Sequence, residues 1–281
     1  MPALSVIIPT YRRSTILALC LDVLEKQTIA ADLEIIVVSD GHDDKTAELF
    51  AKPRWRLAVR FLEVPKSQQG TARNAGTAVA AAPRCLYIGD DIFLDADACA
   101  KHAKPIQPGA AMLGFTTWDP ACVITPVMRW LERSGWQFGY GMLTEYEHVT
   151  IPVERQHLFT YTSHISLPTV TAKAHPFRED MTLYGWEDIE WGMRLRHAGV
   201  PLLYEPSARG LHHHHIELEQ SLYRMRTLGA SAAALKKKMP EFDRVPSGWK
   251  LLAYKILSLL PTYSGLHKRA FLEGIGEAEK A

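Results

Sequence analysis

The sequence predicts an α/β fold with a mostly parallel, Rossmann-like sheet and helices on both faces of that sheet. Two observations support this prediction. Short β-branched apolar runs alternate with segments of helical periodicity along the N-terminal part of the chain, and this alternation is typical of parallel sheets. The 281 residues are 47% hydrophobic and 22% charged, a balance that indicates a large globular core rather than a disordered chain.

The predicted elements follow one another at a regular pitch. Leu4–Pro9 and Glu34–Val38 are β-branched runs of the kind found in buried strands. Between them, Ser14 or Thr15 can cap a helix whose leucines recur at helical spacing. The next predicted elements are a helix near Lys45–Ala51, a strand near Leu57–Val64, a helix over Gly70–Ala82 and a strand over Cys85–Ile88.

The remainder of the chain is less regular. Residues 110–182 contain many aromatic side chains but no clear periodicity. A helix over Glu187–His197 and a strand over Val200–Tyr204 follow, and the C-terminal segment is mostly helical. We therefore predict one main domain over residues 1–215, with halves at 1–95 and 96–215, and a helical C-terminal extension over residues 216–281.

Charge and cysteine usage indicate the surroundings of the protein. The formal net charge is +1, but residues 221–270 carry ten Lys/Arg against two acidic residues, about +8, which favours an anionic partner. The four cysteines show no CxxC spacing, and the sequence shows neither a signal peptide nor an apolar run long enough to span a bilayer. We expect free thiols and a cytoplasmic protein, with attachment to the inner face of the membrane as an option.

Polar residues follow three of the predicted strands: Thr10-Tyr11, Asp40 and Asp90-Asp91. In a parallel sheet these strand ends share one edge, where ligands bind. Two adjacent carboxylates repel each other, and a divalent cation with a diphosphate would neutralise them. Taken alone, the Asp-Asp pair suits a solvated turn better. No G-x-G-x-x-G opens the first helix and no G-x-x-x-x-G-K-[ST] occurs, so a dehydrogenase and a P-loop NTPase are not supported.

Four motifs follow one another along the chain: Ser5-Val-Ile-Ile-Pro-Thr-Tyr11, Val38-Ser-Asp-Gly-His-Asp-Asp44, Gly70-Thr-Ala-Arg-Asn-Ala-Gly76 and Gly89-Asp-Asp-Ile92. In this order they resemble the motifs of glycosyltransferase family 2, in which the third is usually one residue longer. The resemblance extends over roughly Met1–Leu235. It implies a GT-A fold and inverting transfer of a sugar from a nucleotide diphosphate, with a divalent metal.

The resemblance assigns the donor nucleotide to the strand ends. Pro9, Thr10, Tyr11, Asp40 and Arg73 would hold the base and the phosphates. A carboxylate can accept the imide N–H of uracil, and an arginine can pair with phosphate oxygens, so a UDP-sugar is the favoured donor. Taken alone, Asp40 also suits a turn beside Gly41, and Arg73 also suits a solvated charge on a helix.

The resemblance assigns the metal to an aspartate and a histidine. Asp91 would be the carboxylate ligand, and Asp90 would reach the ribose or an outer-shell water; Gly89 stands where many relatives have a further Asp. In similar enzymes a histidine completes the metal shell. We predict His212, with His214 second, because alternate residues of an extended segment face one side. The ion would be Mn2+ or Mg2+, and the other two histidines of the run should be exposed.

The segment Tyr184-Gly-Trp-Glu-Asp-Ile-Glu-Trp191 resembles the family's base-bearing motif. Asp188 would deprotonate the acceptor hydroxyl, and Glu187 would help to bind the acceptor. The alternative is that both carboxylates only favour the helix N-terminus. Thr162-Ser-His-Ile-Ser166 is similar to a donor-sugar segment in which His164 replaces the usual Asn.

The predicted partners are a nucleotide-sugar donor and a saccharide or lipid-linked acceptor, with no nucleic acid. Trp249–Leu260 is apolar, interrupted by lysines and too short to span a bilayer. It therefore predicts either an anionic membrane surface as a partner or packing on the main domain or a second subunit in a homodimer. Two alternative functions share the fold: a sugar-phosphate nucleotidyltransferase and a non-catalytic nucleotide- or glycan-binding protein.

Overall fold

The computed structural model describes residues 1–52, 54–181 and 184–280. Thr182 and Ala281, which end two of the predicted segments, lie outside these residues. The chain forms two compact units. The first contains Met1–Cys122, the described part of Phe138–Thr182, and Glu187–His214; the second contains Val123–Gln137 and the described parts of Leu183–Trp186 and His215–Ala281.

The first unit is built on one mixed, mostly parallel sheet. Its strands, in chain order, are β1 (Leu4–Thr10), β2 (Leu33–Asp40), β3 (Ala58–Val64), β4 (Arg84–Ile88), β5 (Ile92–Leu94), β6 (Ala111–Trp118), β7 (His164–Pro168) and β8 (Leu202–His212). Their order across the sheet is β3-β2-β1-β4-β7-β6-β8-β5. The pairs β1–β2, β1–β4, β2–β3 and β6–β8 are parallel, whereas β7 is antiparallel to β4 and β6, and β5 is antiparallel to β8.

Helices complete both units. Those of the first unit are α1 (Ser14–Leu24), α2 (Asp44–Phe50), α3 (Gln69–Val79), α4 (Ala98–Ala103), α6 (Thr169–Ala174) and α7 (Glu187–His197). Those of the second unit are α5 (Pro126–Ser134), α8 (Leu218–Lys238), α9 (Gly248–Leu257) and α10 (Tyr263–Lys280). Among the described residues, no helix combines the length and the apolar character that a membrane crossing needs.

The sheet has a buried core on each face because its central strands alternate their side chains. Val6 and Ile8 of β1 pack in one cluster with Leu17 of α1. Ile7, between them, packs in the other cluster with Ala72 of α3. Central strands buried on both faces read as continuous apolar runs, and for this reason β1 and β2 could be predicted directly.

The second half of the sheet differs from the prediction. The predicted strand Val200–Tyr204 is wrong in extent, because β8 continues to His212. Residues 110–182 contain β6 and β7, although the sequence shows no clear periodicity there. Six of the eight residues of β6 are buried, so that strand lacks the polar–apolar alternation that would reveal it. The helix predicted to reach Ala82 ends at Val79, since Ala80 is already extended with ψ 129°.

Candidate active site

The strand ends bring most of the predicted site residues to one edge of the sheet. Thr10 ends β1, Asp40 ends the parallel neighbour β2, and Asp90 follows β4 by two residues. Because β7 runs antiparallel to β4, with Ile88 paired to His164, the chain just before β7 lies at the same edge. The three polar clusters of the sequence therefore converge, as expected for a parallel sheet.

Asp90 and Asp91 form a buried acidic pair. Asp90 is 4% exposed and Asp91 7%. Thr10 donates its hydroxyl to Asp90 at 2.7 Å, and Arg13 bridges the pair, with Nη1 2.9 Å from Asp90 and Nη2 2.7 Å from Asp91. Burial raises the pKa of Asp90 to about 6, although Arg13 opposes this shift. Burial also acts to raise the pKa of Asp91, but His212, His214 and Arg13 together hold it well below its usual value.

Arg13 is a site residue that was not predicted from the sequence. Arg12, just before it, has a left-handed backbone (φ 54°), which turns the chain between the end of β1 and the start of α1. This turn carries the guanidinium of Arg13 to the acidic pair. The one sequence signal for this contact is that Arg13 follows β1 closely, while Asp90 and Asp91 follow the neighbouring strand β4. The contact itself could not be predicted, because 78 residues separate Arg13 from Asp91.

Two of the four consecutive histidines face Asp91. His212 Nε2 lies 3.4 Å and His214 Nδ1 3.5 Å from Asp91 Oδ2. The His212 ring stacks on Trp118 with centroids 5.3 Å apart. The ligand atoms of Asp91, His212 and His214 all lie within 4.8 Å of one another. One carboxylate oxygen and two imidazole nitrogens on a buried edge suit a divalent transition metal, so the donor set fits the ion that the resemblance implies.

Asp40 is paired with groups that the sequence analysis did not name. Its Oδ1 accepts the backbone N–H of Ser67 at 2.8 Å, and its Oδ2 is hydrogen-bonded to the ammonium of Lys66. That ammonium also lies 4.3 Å from the centre of the Tyr11 ring. Pro9 is buried within β1, where it pairs with Val38 of β2. Lys66 therefore adds a cation beside Asp40 at this edge of the sheet.

Arg73 is a buried cation with spare donors. It is 3% exposed, and its Nη2 donates to Gln69 at 3.1 Å. Within the described part of the chain, its Nε and Nη1 have no hydrogen-bond partner. An unpaired buried guanidinium is costly, and an anionic ligand would remove that cost.

Glu187 and Asp188 open helix α7. Asp188 is half-buried, and its two oxygens accept from Thr162: Oδ1 from the hydroxyl at 2.5 Å and Oδ2 from the backbone N–H at 3.1 Å. Thr162 lies two residues before β7, so this contact holds Asp188 at the strand-end edge. His164 is fully buried instead, and its Nδ1 lies 3.1 Å from the Thr116 hydroxyl.

The family of the chain follows from its sequence. The model of glycosyl transferase family 2 matches residues 5–163. This match covers more than half of the chain and includes Thr10, Asp40 and Asp91 at the strand ends and Arg73 of helix α3. The chain belongs to glycosyltransferase family 2.

Relatives of known name are similar over parts of the chain. The validoxylamine A glucosyltransferase of Streptomyces hygroscopicus subsp. jinggangensis is 30% identical in an alignment of 234 positions that covers 75% of this chain and 55% of that protein. A PGL/p-HBAD biosynthesis glycosyltransferase of Mycobacterium bovis is 34% identical in an alignment of 108 positions that covers 36% of this chain and 41% of that protein. The chain spans about half the length of the curated relatives it matches.

Solved structures share the GT-A fold. A mannosyltransferase from Pyrobaculum calidifontis in complex with GDP-Man and Mn2+ superposes with a TM-score of 0.63 at 14% identity, over 99% of this chain and 87% of that chain. S. aureus TarS 1–349 in complex with UDP-GlcNAc superposes with a TM-score of 0.55 at 19% identity, over 83% of this chain and 66% of that chain.

Proposed function

We propose that this protein is a metal-dependent, inverting glycosyltransferase that moves a sugar from a UDP-sugar to the hydroxyl of a saccharide or lipid-linked glycan. The observation that carries the proposal is the convergence at one sheet edge of the Asp91–His212–His214 cluster and the oriented carboxylate of Asp188. The first group suits a metal-bound diphosphate, and the second suits a general base.

The donor would lie along the strand ends. Asp40, whose Oδ2 is hydrogen-bonded to Lys66, would accept the imide N–H of the base. Arg73 would donate its unpaired Nε and Nη1 to the phosphates. The solved relatives in complex with UDP-GlcNAc and with GDP-Man support a nucleotide sugar as the donor class. Thermal unfolding with UDP and with GDP, in the presence of Mn2+, separates the two bases.

Asp91, His212 and His214 would hold the metal. Two imidazole ligands favour Mn2+ over Mg2+, which prefers oxygen ligands. When bound, the ion supplies positive charge that stabilises the departing diphosphate. Asp91→Ala should abolish the Mn2+-dependent component of UDP binding, measured by calorimetry. Turnover that persists in excess chelator would contradict the proposed metal dependence.

Asp188 would act as the base. It takes the proton of the acceptor hydroxyl, whose oxygen forms a bond to the anomeric carbon from the face opposite the leaving group. The bond between that carbon and the phosphate oxygen breaks, and its electron pair leaves with the nucleoside diphosphate. Thr162 holds the Asp188 carboxylate in one orientation through two hydrogen bonds, and Glu187 would bind the acceptor.

Asp188→Asn tests the role of the base. The amide cannot take a proton, so we expect kcat to fall by about a hundredfold or more while UDP binding stays unchanged. Asp44→Asn is the matched control, because Asp44 occupies the first turn of α2 as an exposed carboxylate. If both variants keep near-normal turnover, the carboxylates serve only the helix N-termini and the assignment is wrong. Formation of a nucleotide sugar from UTP and a sugar 1-phosphate would instead favour a nucleotidyltransferase.

We also propose that helix α9 docks on an anionic membrane surface, where a lipid-linked acceptor would be found. No residue of α9 is buried, and Trp249, Leu252 and Ile256 are 75%, 60% and 58% exposed. The other helices described in its unit therefore leave these side chains uncovered. Lys250 and Lys255 lie on the same helix, and basic residues contribute about 1 kcal/mol each at an anionic leaflet.

Vesicle flotation tests this docking. The double variant Leu252→Asp with Ile256→Asp should lose binding to anionic liposomes. Val170→Asp should keep it, because Val170 is an apolar residue of α6 that is 75% exposed. Binding by the wild-type protein should weaken with salt. A wild-type protein that does not float, but forms a dimer that the double variant cannot form, would assign the helix to a subunit interface.

A further inference from the structure

The four-histidine run begins at the last residue of β8, and its first three members contact two different aspartates. His212 and His214 face Asp91, whereas His213 turns to Asp119: its Nδ1 lies 2.6 Å from Asp119 Oδ2. The expectation that His213 is simply exposed is not met, because its side chain is 30% exposed and its ring stacks on Phe93 at 4.9 Å.

A tight turn after β6 adds a thiol beside this pair. Asp119 Oδ1 accepts the backbone N–H of Ala121 at 2.9 Å, and the backbone N–H of Cys122 donates to the Asp119 carbonyl at 3.0 Å. The carboxylate is 6% exposed and is held so that Oδ2 points to His213. Cys122 is half-buried. The ligand atoms of Asp119, Cys122 and His213 all lie within 4.8 Å of one another.

We propose that Asp119, Cys122 and His213 form a second metal site, distinct from the one at Asp91, and that this site binds Zn2+. Thiolate and imidazole ligands together select zinc rather than Mg2+ or Mn2+. Three protein ligands leave a fourth tetrahedral position for water, and the partial exposure of Cys122 gives the ion a path of entry. The hydrogen bond from Ala121 orients the carboxylate from behind, as outer hydrogen bonds do at many zinc sites.

The second site would fix the segment that carries the first. His213 lies between His212 and His214 in the chain, so an ion that holds its ring also restrains the backbone of both neighbours. The backbone N–H of His213 already donates to the Asp91 carbonyl at 2.8 Å. Zinc at Asp119 would therefore serve a structural role beside the metal site proposed at Asp91.

Alkylation of Cys122 tests the proposal on the full chain. Cys20, Cys85 and Cys99 are buried, so iodoacetamide should modify Cys122 first in the folded, chelator-treated protein. Micromolar Zn2+ should slow this modification at least tenfold, as followed by mass spectrometry, whereas Mn2+ should not. Equal rates with and without Zn2+ would overturn the proposal.

Cobalt substitution identifies the ligands. The Co2+-loaded protein should show a thiolate-to-cobalt charge-transfer band that Cys122→Ser abolishes and Asp119→Asn weakens. The band should survive in His215→Gln, which alters a histidine of the same run outside both clusters, and in Asp91→Asn, which removes the first site. Visible cobalt bands without a thiolate-to-cobalt band, lost in Asp91→Asn and kept in Cys122→Ser, would assign all the metal binding to the first site and contradict the proposal.

Discussion

At the scale of single residues, Asp90 and Asp91 impose the strongest requirement on their neighbours. Both are more than nine-tenths buried, and two adjacent buried carboxylates are unstable unless a cation compensates them. From the sequence, we expected a metal ion to be that cation. The structure adds Arg13, which bridges both carboxylates. The charge of the site is therefore partly balanced by the protein itself.

The variant Arg13→Gln tests whether Arg13 compensates the charge of the two carboxylates. Without metal, we expect the variant to lose about 2 kcal/mol of unfolding free energy, a value reduced because Arg13 is 38% exposed. Mn2+ should then stabilise the variant more than the wild type, since it meets two uncompensated carboxylates. Thermal unfolding with and without Mn2+ measures both effects, with Arg54→Gln as the surface control because Arg54 pairs with Asp22 at 3.6 Å. If Mn2+ raised the unfolding temperature of the wild type and of the variant by the same amount, Arg13 would not compensate the charge of the two carboxylates.

At the scale of elements, helix α3 lies unusually close to the sheet. A Cβ added at Gly76 would lie 2.6 Å from Ile7 Cγ2 and 3.2 Å from Val38 Cγ2. The last glycine of the motif Gly70-Thr-Ala-Arg-Asn-Ala-Gly76 is therefore required for packing against β1 and β2. The same close approach sets the position of Arg73, one helical turn earlier.

Gly76→Ala should destabilise the protein by about 2 kcal/mol, because overpacking forces the helix away from the strands. Alanine favours a helix by about 1 kcal/mol over glycine, so a net loss isolates the steric effect. Urea unfolding measures it, and UDP affinity should fall as Arg73 moves. Gly109→Ala is the matched control, since its added Cβ would meet no atom within 4 Å. Equal stability of Gly76→Ala and wild type would refute the close approach.

At the scale of the whole molecule, two histidines are buried in the sheet core. His102 and His164 are fully buried, their rings lie 5.0 Å apart, and each Nε2 has no partner among the described residues. Burial lowers the pKa of His164 to about 4 and that of His102 well below its usual value, and for His102 the neighbouring His164 and Arg84 add to the shift. Both rings are therefore neutral in the folded protein at pH 7.

The unfolding free energy should consequently fall on acidification. Above pH 6.5 these rings are neutral in both the folded and the unfolded protein. Below pH 6.5 they become protonated in the unfolded chain but stay neutral in the folded protein. The loss continues until the folded His164 also titrates near pH 4, and this residue alone accounts for about 3 kcal/mol. His164→Asn should reduce the slope of stability against pH between 6.5 and 4, as measured by urea unfolding. His197→Gln, an exposed control, should not, and a slope unchanged in His164→Asn would contradict the linkage.

Local patterns in the sequence were sufficient for the sheet strands β1, β2 and β4, for helix α1 and for the family. They also identified Thr10, Asp40, Asp90 and Asp91 as neighbours, because the carboxyl ends of parallel strands share an edge wherever they occur in the chain. The resemblance supplied His212, His214 and Asp188, whose catalytic and metal roles remain predictions.

The tertiary structure alone decided which side chains meet across long stretches of chain. Arg13 reaches Asp91 over 78 residues, Thr162 reaches Asp188 over 26, and His213 reaches Asp119 over 94. Periodicity encodes only the face of an element on which a side chain lies, not the partner that another element brings to it. The buried β6 and the insertion of β7 as an antiparallel strand were hidden for the same reason. Their positions depend on neighbours that are distant in the chain, and those neighbours place Thr162 and Asp188 at the site.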